Sequence, residues 1–222
     1  LGSIDARRGS AAGGNDSTRG LIAGGNTPGD GGARKSIDFI TMASTGDSSD
    51  FGELMQERFD FNGSVGNGVR SVFAGGYKQT IPAATFYRMI DTVNVQSRGS
   101  ATKFGELSAN RGRTTSTSNS TRGLVGMSGG DGPTATSNII EYITISTEGN
   151  ATDFGDLVHS VLQSAATSSS TRGVIMGGDN PAVNNVIQYV TIATTGNASD
   201  FGDLVTAARH ISAASDDNGG LG

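Results

Sequence analysis

Short blocks of mixed apolar and polar residues recur along this chain, separated by runs of Gly, Ser, Thr, Asn and Asp. In the first stretch, a weak small-residue segment (Ala6–Gly13) and a turn (Asn15–Thr18) lead to Arg19-Gly20-Leu21-Ile22-Ala23, which stops at Gly24-Gly25. A polar connection leads to Ile37-Asp38-Phe39-Ile40-Thr41-Met42-Ala43, then a turn containing Gly46-Asp47, then Asp50-Phe51-Gly52-Glu53-Leu54. Blocks of about five residues bounded by turn formers predict four short strands joined as an antiparallel meander. The third strand carries apolar residues on both faces, in the columns Ile37/Ile90/Ile140/Ile187, Ile40/Val93/Ile143/Val190 and Met42/Val95/Ile145/Ile192, with a polar column Asp38/Asp91/Glu141/Gln188 after the first. Such a strand is expected to be covered on both sides.

The pattern repeats. Ser170–Leu204 and Ser120–Leu157 both open on STRG and close on FGDL, and Ser17–Leu54 opens on STRG and closes on FGEL. A second copy has drifted, keeping VRSVFAGG and KFGEL. Arg19, Arg70, Arg122 and Arg172 are 51, 52 and 50 residues apart. A period of that size signals a repeat architecture, and one unit buries too little surface to fold alone. The whole chain, 1–222, is therefore expected to be a single repeat domain with units at 5–54, 55–107, 108–157 and 158–204. The leader Ala6-Arg7-Arg8-Gly9-Ser10-Ala11-Ala12 matches Ala208-Arg209-His210-Ile211-Ser212-Ala213-Ala214 as A-R-x-x-S-A-A. Residues 205–217 thus read as a partial fifth unit, and 205–215 are expected to lie in a β-sheet beside another unit or another chain. Unit two departs most: Lys103 stands where others have Asp50, Asp153 and Asp200, and it adds Phe59, Phe61, Tyr77, Phe86 and Tyr87.

Composition narrows the class. Gly is 35 of 222 residues without a three-residue period, Cys is 0, and the net charge is −5. High Gly with β-branched blocks suits tight turns between short strands. The charge and the scattered arginines argue against a general nucleic-acid binder. No apolar run is long enough for a spanning helix. Without Cys there are no disulfides, thiol nucleophiles or thiolate metal sites. No signal-peptide pattern precedes Leu1, so the chain is expected to be processed or part of a longer polypeptide.

With strands placed, the unit resembles the kelch repeat. The resemblance rests on Gly24-Gly25, Gly75-Gly76, Gly129-Gly130 and Gly177-Gly178, in register with the fourth-strand aromatics Phe51, Phe104, Phe154 and Phe201. It implies an all-β fold: a β-propeller of four-stranded, kelch-like blades, four units plus one surplus strand. The wording STRG-V-x-x-GG followed by YITI-x-T-x-GNA-x-DFGDL also looks like repeats of virion and tail proteins of aquatic bacteriophages. That likeness implies a structural or host-facing particle protein.

Candidate chemistry is sparse. Arg19, Arg70, Arg122 and Arg172 could form a cationic ring suited to carboxylates or acidic glycans, or could pair structurally with Asp50, Asp153 and Asp200. Oxygen-rich turns at Asp47-Asp50-Glu53, Asn150-Asp153-Asp156 and Asn197-Asp200-Asp203 lack EF-hand spacing, and turn geometry accounts for them. N-x-S/T triplets start at Asn15, Asn62, Asn119, Asn150 and Asn197 and fit the turn alphabet equally well. His159 and His210 occupy different columns, and no nucleophile elbow, P-loop or dinucleotide fingerprint is present. The kelch family's copper radical chemistry needs a Cys-linked Tyr, which this chain cannot supply. The expectation is a non-enzymatic structural or adhesive module of a virion or other extracellular assembly, with no cofactor or metal. Its expected partners are copies of itself, other virion proteins or host surface glycans. The alternative is a glycan-binding propeller lectin.

Overall fold

The computed structural model describes residues 8–27, 32–62, 64–80, 82–132 and 134–214. Four four-stranded antiparallel meanders are arranged as the blades of a β-propeller. Blade 1 is β1 (Ala12–Asn15), β2 (Arg19–Ala23), β3 (Ser36–Thr41) and β4 (Ser49–Glu53). The chain then forms β5 (Phe61–Asn62), which pairs in parallel with blade 3. Blade 2 is β6 (Val65–Gly66), β7 (Arg70–Ala74), β10 (Met89–Asn94) and β11 (Thr102–Glu106), with a separate hairpin, β8 (Tyr77–Lys78) and β9 (Thr85–Phe86), between its second and third strands. Blade 3 is β12 (Thr114–Ser118), β13 (Arg122–Met127), β14 (Ser137–Thr144) and β15 (Thr152–Val161). Blade 4 is β16 (Ala165–Ser168), β17 (Arg172–Met176), β18 (Val186–Thr191) and β19 (Ser199–Asp203). The Ser/Thr-rich β12 and β16 are the inner strands of blades 3 and 4.

The turn into each second strand is closed by one side chain. The oxygen of Asp16 accepts the Thr18 and Arg19 N–H groups at 2.7 and 2.6 Å, and Asn67, Asn119 and Ser169 do the same for Val69/Arg70, Thr121/Arg122 and Thr171/Arg172. Such short polar side chains mimic a backbone turn. Partial burial pushes the Asp16 carboxyl up, but the bonds from Arg19 and Thr18 outweigh it and hold it below the usual carboxylate range.

The core is three blade junctions. Leu21, Ile37, Phe39, Phe51 and Leu54 of blade 1 pack on Phe73, Val93 and Val95 of blade 2. Val72, Ile90, Phe104 and Leu107 meet Val125, Ile143 and Ile145 of blade 3. Leu124, Ile140, Phe154 and Leu157 meet Ile175, Val190 and Ile192 of blade 4. Alternate residues of each strand therefore face the next blade and the previous one, which is why both faces read as apolar. Polar contacts repeat alongside: Gly99, Gly149 and Gly196 donate N–H to the Phe51, Phe104 and Phe154 carbonyls at 2.9, 2.9 and 2.7 Å. A Cβ on Gly52, Gly105 or Gly155 would meet the carbonyl of Gly99, Gly149 or Gly196 at 2.4, 1.9 and 2.4 Å, so glycine alone lets the outer strand and the neighbouring turn approach.

The junction between blades 4 and 1 has none of this among the described residues. Phe51, Phe104 and Phe154 are 2, 3 and 2% exposed, whereas Phe201 is 54% exposed. On the opposite side, Val93 and Ile143 are 4 and 3% exposed and Ile40 is 39%; Val95 and Ile145 are 0% and Met42 is 47%. A Cβ on Gly202 would meet nothing within 4 Å.

The predicted surplus strand is corrected. Residues 204–214 form no strand, and the register implied by A-R-x-x-S-A-A is off by two. Backbone conformation sets the true alignment: Ser10, Asp60, Arg113, Gln163 and His210 all have left-handed φ, between 51 and 59°. Ala208 O accepts the Gly178 N–H at 2.8 Å, as Arg58 O accepts from Gly25 and Arg111 O from Gly76. His210 N–H reaches Gln163 O at 3.1 Å, as Asp60 N–H reaches Ser10 O. The segment is thus seated on blade 4 as the start of a further unit, with Ala208 matching Arg8. The leader's first residues, 1–7, and 215–222 lie outside the described residues.

Candidate functional site

The four repeated arginines open the second strand of each blade, and the structure makes three of them straps between blades. Arg19 Nη1 donates to Val95 O at 2.8 Å, Arg70 Nη1 to Ile145 O and Ser146 O at 3.4 and 3.2 Å, and Arg122 Nη1 to Ile192 O at 2.9 Å. Each acceptor belongs to the next blade. Arg19, Arg122 and Arg172 also lie over the Phe39, Tyr142 and Tyr189 rings, at 5.4, 4.5 and 4.8 Å, a favourable cation–aromatic geometry. Asp50, Asp153 and Asp200 are not their ion-pair partners; Arg70 instead has Glu148 at 3.8 Å. Arg19, Arg70 and Arg122 therefore span the junctions, and none of the four lines the central cavity between the inner strands. Arg172, in the last blade, is exposed and has no such carbonyl among the described residues.

A second arginine column, unmarked by the repeat, is deeper. Arg8–Asp38 (2.7 Å), Arg58–Asp91 (3.2 Å) and Arg111–Glu141 (3.4 Å) are ion pairs with both side chains at most 3% exposed. Each arginine comes from the segment entering a blade and reaches into the gap between that blade's second and third strands; Arg8, for example, also donates to Ser36 O at 2.8 Å. In blade 4 the acid column holds Gln188 and the arginine column holds Val161. The acids also bind backward: Asp91 accepts the Met55 N–H and Glu141 the Ser108 N–H, and Gln188 accepts the Val158 N–H, at 3.1, 2.8 and 2.7 Å. Burial pushes the Asp91 carboxyl up against the pull of Arg58, and lowers Arg58 and Arg111. Arg58 further rests 4.9 Å from the centroid of Phe61. Only the acid half of this column stands in aligned strand positions, so it alone was visible in the sequence.

A cavity of about 720 Å³ lies between the inner strands, forming a central channel. Its wall is built from the inner strands: Thr115–Ser118, Ser164–Ser168, Gly13–Asn15, Ser64 and Ser10, with the 210–214 segment on one side. Hydroxyls and backbone dominate, and Asp60 and His210 are its titratable side chains among the described residues. No Phe or Tyr ring lines it among the described residues. The turns read as oxygen-rich also serve junctions: Ser100, Asn150 and Asn197 accept the N–H of Glu53, Glu106 and Asp156 in the preceding blade, at 3.3, 3.1 and 3.0 Å. No group of three or more His, Cys, Asp or Glu side chains is placed to hold a metal among the described residues.

Three of unit two's added aromatics form a cluster of their own. Tyr77 stacks on Phe86, with ring centroids 5.0 Å apart, and meets Phe59 in a tilted contact at 4.3 Å. Arg113 lies over Tyr77 at 5.7 Å and pairs with Asp60 at 3.7 Å. Burial, then the Asp60 charge, raise the Tyr77 hydroxyl above its ordinary range. A Cβ on Gly112 would strike Phe86 and Tyr77 at 2.8 and 2.9 Å, so the cluster clamps the connection between blades 2 and 3.

The fold and its junctions define a β-propeller repeat protein. The chain is similar to the solved structure of YjhT, a propeller, with a TM-score of 0.75 and 11% identity over 95% of this chain and 75% of that one. No protein-family model matches the chain, and no curated protein matches it either. No helix among the described residues is long and apolar enough to cross a membrane.

Proposed function

We propose that this propeller is a non-enzymatic structural or adhesive module of an extracellular assembly such as a virion or tail, built with copies of itself or other particle proteins. One observation carries the reading: the polar residues that repeat in register are engaged in joining blades. Arg19, Arg70 and Arg122 reach the next blade's carbonyls, and the turn residues Ser100, Asn150 and Asn197 brace the preceding outer strand. A glycan-binding propeller would want an aromatic stacking platform beside polar partners in each blade. In blades 1 to 3 the repeated aromatics face blade junctions instead. The kelch-like and phage-like wording of the repeat supports the assembly setting. Gold-labelled antibody raised against the chain, applied to intact particles and cells of the producing culture, is expected to decorate an extracellular particle. Label confined to the interior of opened cells would overturn the assembly reading. On a glycan array at millimolar sugar the chain is expected to stay unbound; saturable binding would favour the lectin.

A further inference from the structure

We infer that the open face of blade 4 is a docking surface for blade 1 of a second copy of this chain, so that copies join head to tail. This names the surface and the partner within the assembly reading above, and it is testable apart from it.

Continuity with the three internal junctions is the argument. Each buries the Phe of FGDL/FGEL and its strand neighbours against an aliphatic pair on the next blade's third strand. Each adds an N–H bond from the neighbouring turn to that Phe carbonyl. Blade 4 offers the same donor side uncovered: Phe201 at 54%, Tyr189 beside it at 5.9 Å, and the exposed Arg172. Among the described residues, the uncovered receiving face of this kind is blade 1's, with Ile40 and Met42 at 39 and 47% exposed. Within one molecule these two surfaces do not meet. A surface that fits a different patch on an identical molecule makes a heterologous contact, which propagates into rings or filaments. By the internal pattern, Arg172 would take the Met42 carbonyl, as Arg19 takes Val95, and the Gly46 N–H would reach Phe201 O.

One steric condition follows. The incoming unit start would claim Gly178 N–H and Gln163 O, which now bind Ala208 and His210. The incoming start is held by the buried Arg8–Asp38 pair, whereas the seated tail has Ala208 in the arginine position and a fully exposed Val205. The tail is therefore the segment that yields.

Sedimentation velocity of the 222-residue chain over a wide concentration range tests this. Self-association is expected, and Phe201→Asp and Met42→Asp should each weaken it at least about tenfold, as for buried interface anchors. Both sites are exposed in the monomer, and matching circular dichroism and melting curves check that the variants fold. Mixed one to one, the two variants should form a dimer and stop there, because each retains the one face the other lacks. A chain ending at Leu204 should associate more tightly than the full chain. A wild-type chain that stays monomeric throughout, variants that associate like wild type, a mixture that stays monomeric, or weaker association on tail removal would each overturn the inference. Particle decoration by antibody together with a strictly monomeric chain would sink this interface and leave the proposed function standing.

Discussion

The buried pairs show how one residue depends on another. Arg58 and Asp91 are both 0% exposed, and Arg58 Nε and Nη1 and Asp91 Oδ1 have no hydrogen-bond partner. A buried pair of this kind adds little net stability, yet removing one partner strands the other charge. Blade 4 displays the alternative solution, Val161 with Gln188, in which the Val158 N–H keeps its acceptor and both charges are gone. Asp91→Gln alone is therefore expected to cost about 3–5 kcal/mol in denaturant unfolding. Arg58→Val with Asp91→Gln should recover most of that loss, less a cavity cost left by the shorter side chain. Strictly additive losses in the double-mutant cycle would show that the two sites are uncoupled. The acids were legible in the sequence as a strand column. Their arginines were not, because Arg8, Arg58 and Arg111 sit in entry segments with little else in common, and Ala/Ser-rich stretches match at more than one offset. The same ambiguity explains the two-residue slip in aligning the tail, which left-handed backbone at His210 resolves.

At the level of the strand, the FGDL block was readable as a fourth strand with a core aromatic, and the structure agrees in blades 1 to 3. What the sequence could not show is which side of the glycine is crowded, since that depends on a turn about forty residues later in the next blade (Gly155 to Gly196). Gly155 and Gly202 make a matched pair for this: their φ values are 145 and 141°, but a Cβ meets the Gly196 carbonyl at 2.4 Å in one case and nothing within 4 Å in the other. The backbone strain of replacing either by Ala is thus nearly equal and cancels in the comparison. Gly155→Ala should be the more destabilising by about 1–3 kcal/mol, the usual cost of forcing extra volume into a packed contact. Equal melting temperatures for the two variants would mean that blade 3 does not press on blade 4 as closely as drawn. The repeated Arg column illustrates the same limit: its spacing was plain, but the acceptors of Arg19, Arg70 and Arg122 are backbone carbonyls, which leave no mark in a sequence.

Across the whole molecule, cooperativity should follow the number of covered faces. In a repeat array, stability is close to a sum of unit terms and nearest-neighbour interfaces. Blades 2 and 3 each have two interfaces, and blades 1 and 4 have one apiece. Blade 1 is further held by Arg8–Asp38, buried to 1 and 3%, whereas blade 4 has the neutral Val161 and Gln188 in those places and a half-buried Leu204 where Leu54, Leu107 and Leu157 are buried. Local opening free energies vary within one protein according to such contacts. In dilute monomer, amide exchange is therefore expected to be slowest in β10, β13 and β14 and fastest, among the strand amides of second and third strands, in β17 and β18. Raising the concentration should slow exchange at blade 4 and around Ile40–Met42 while leaving blades 2 and 3 as they were, because head-to-tail docking supplies only the missing fourth interface. Uniform protection across all four blades at low concentration would mean that the blade 4 to blade 1 junction closes within one molecule in solution, and the open-face geometry would have to be abandoned.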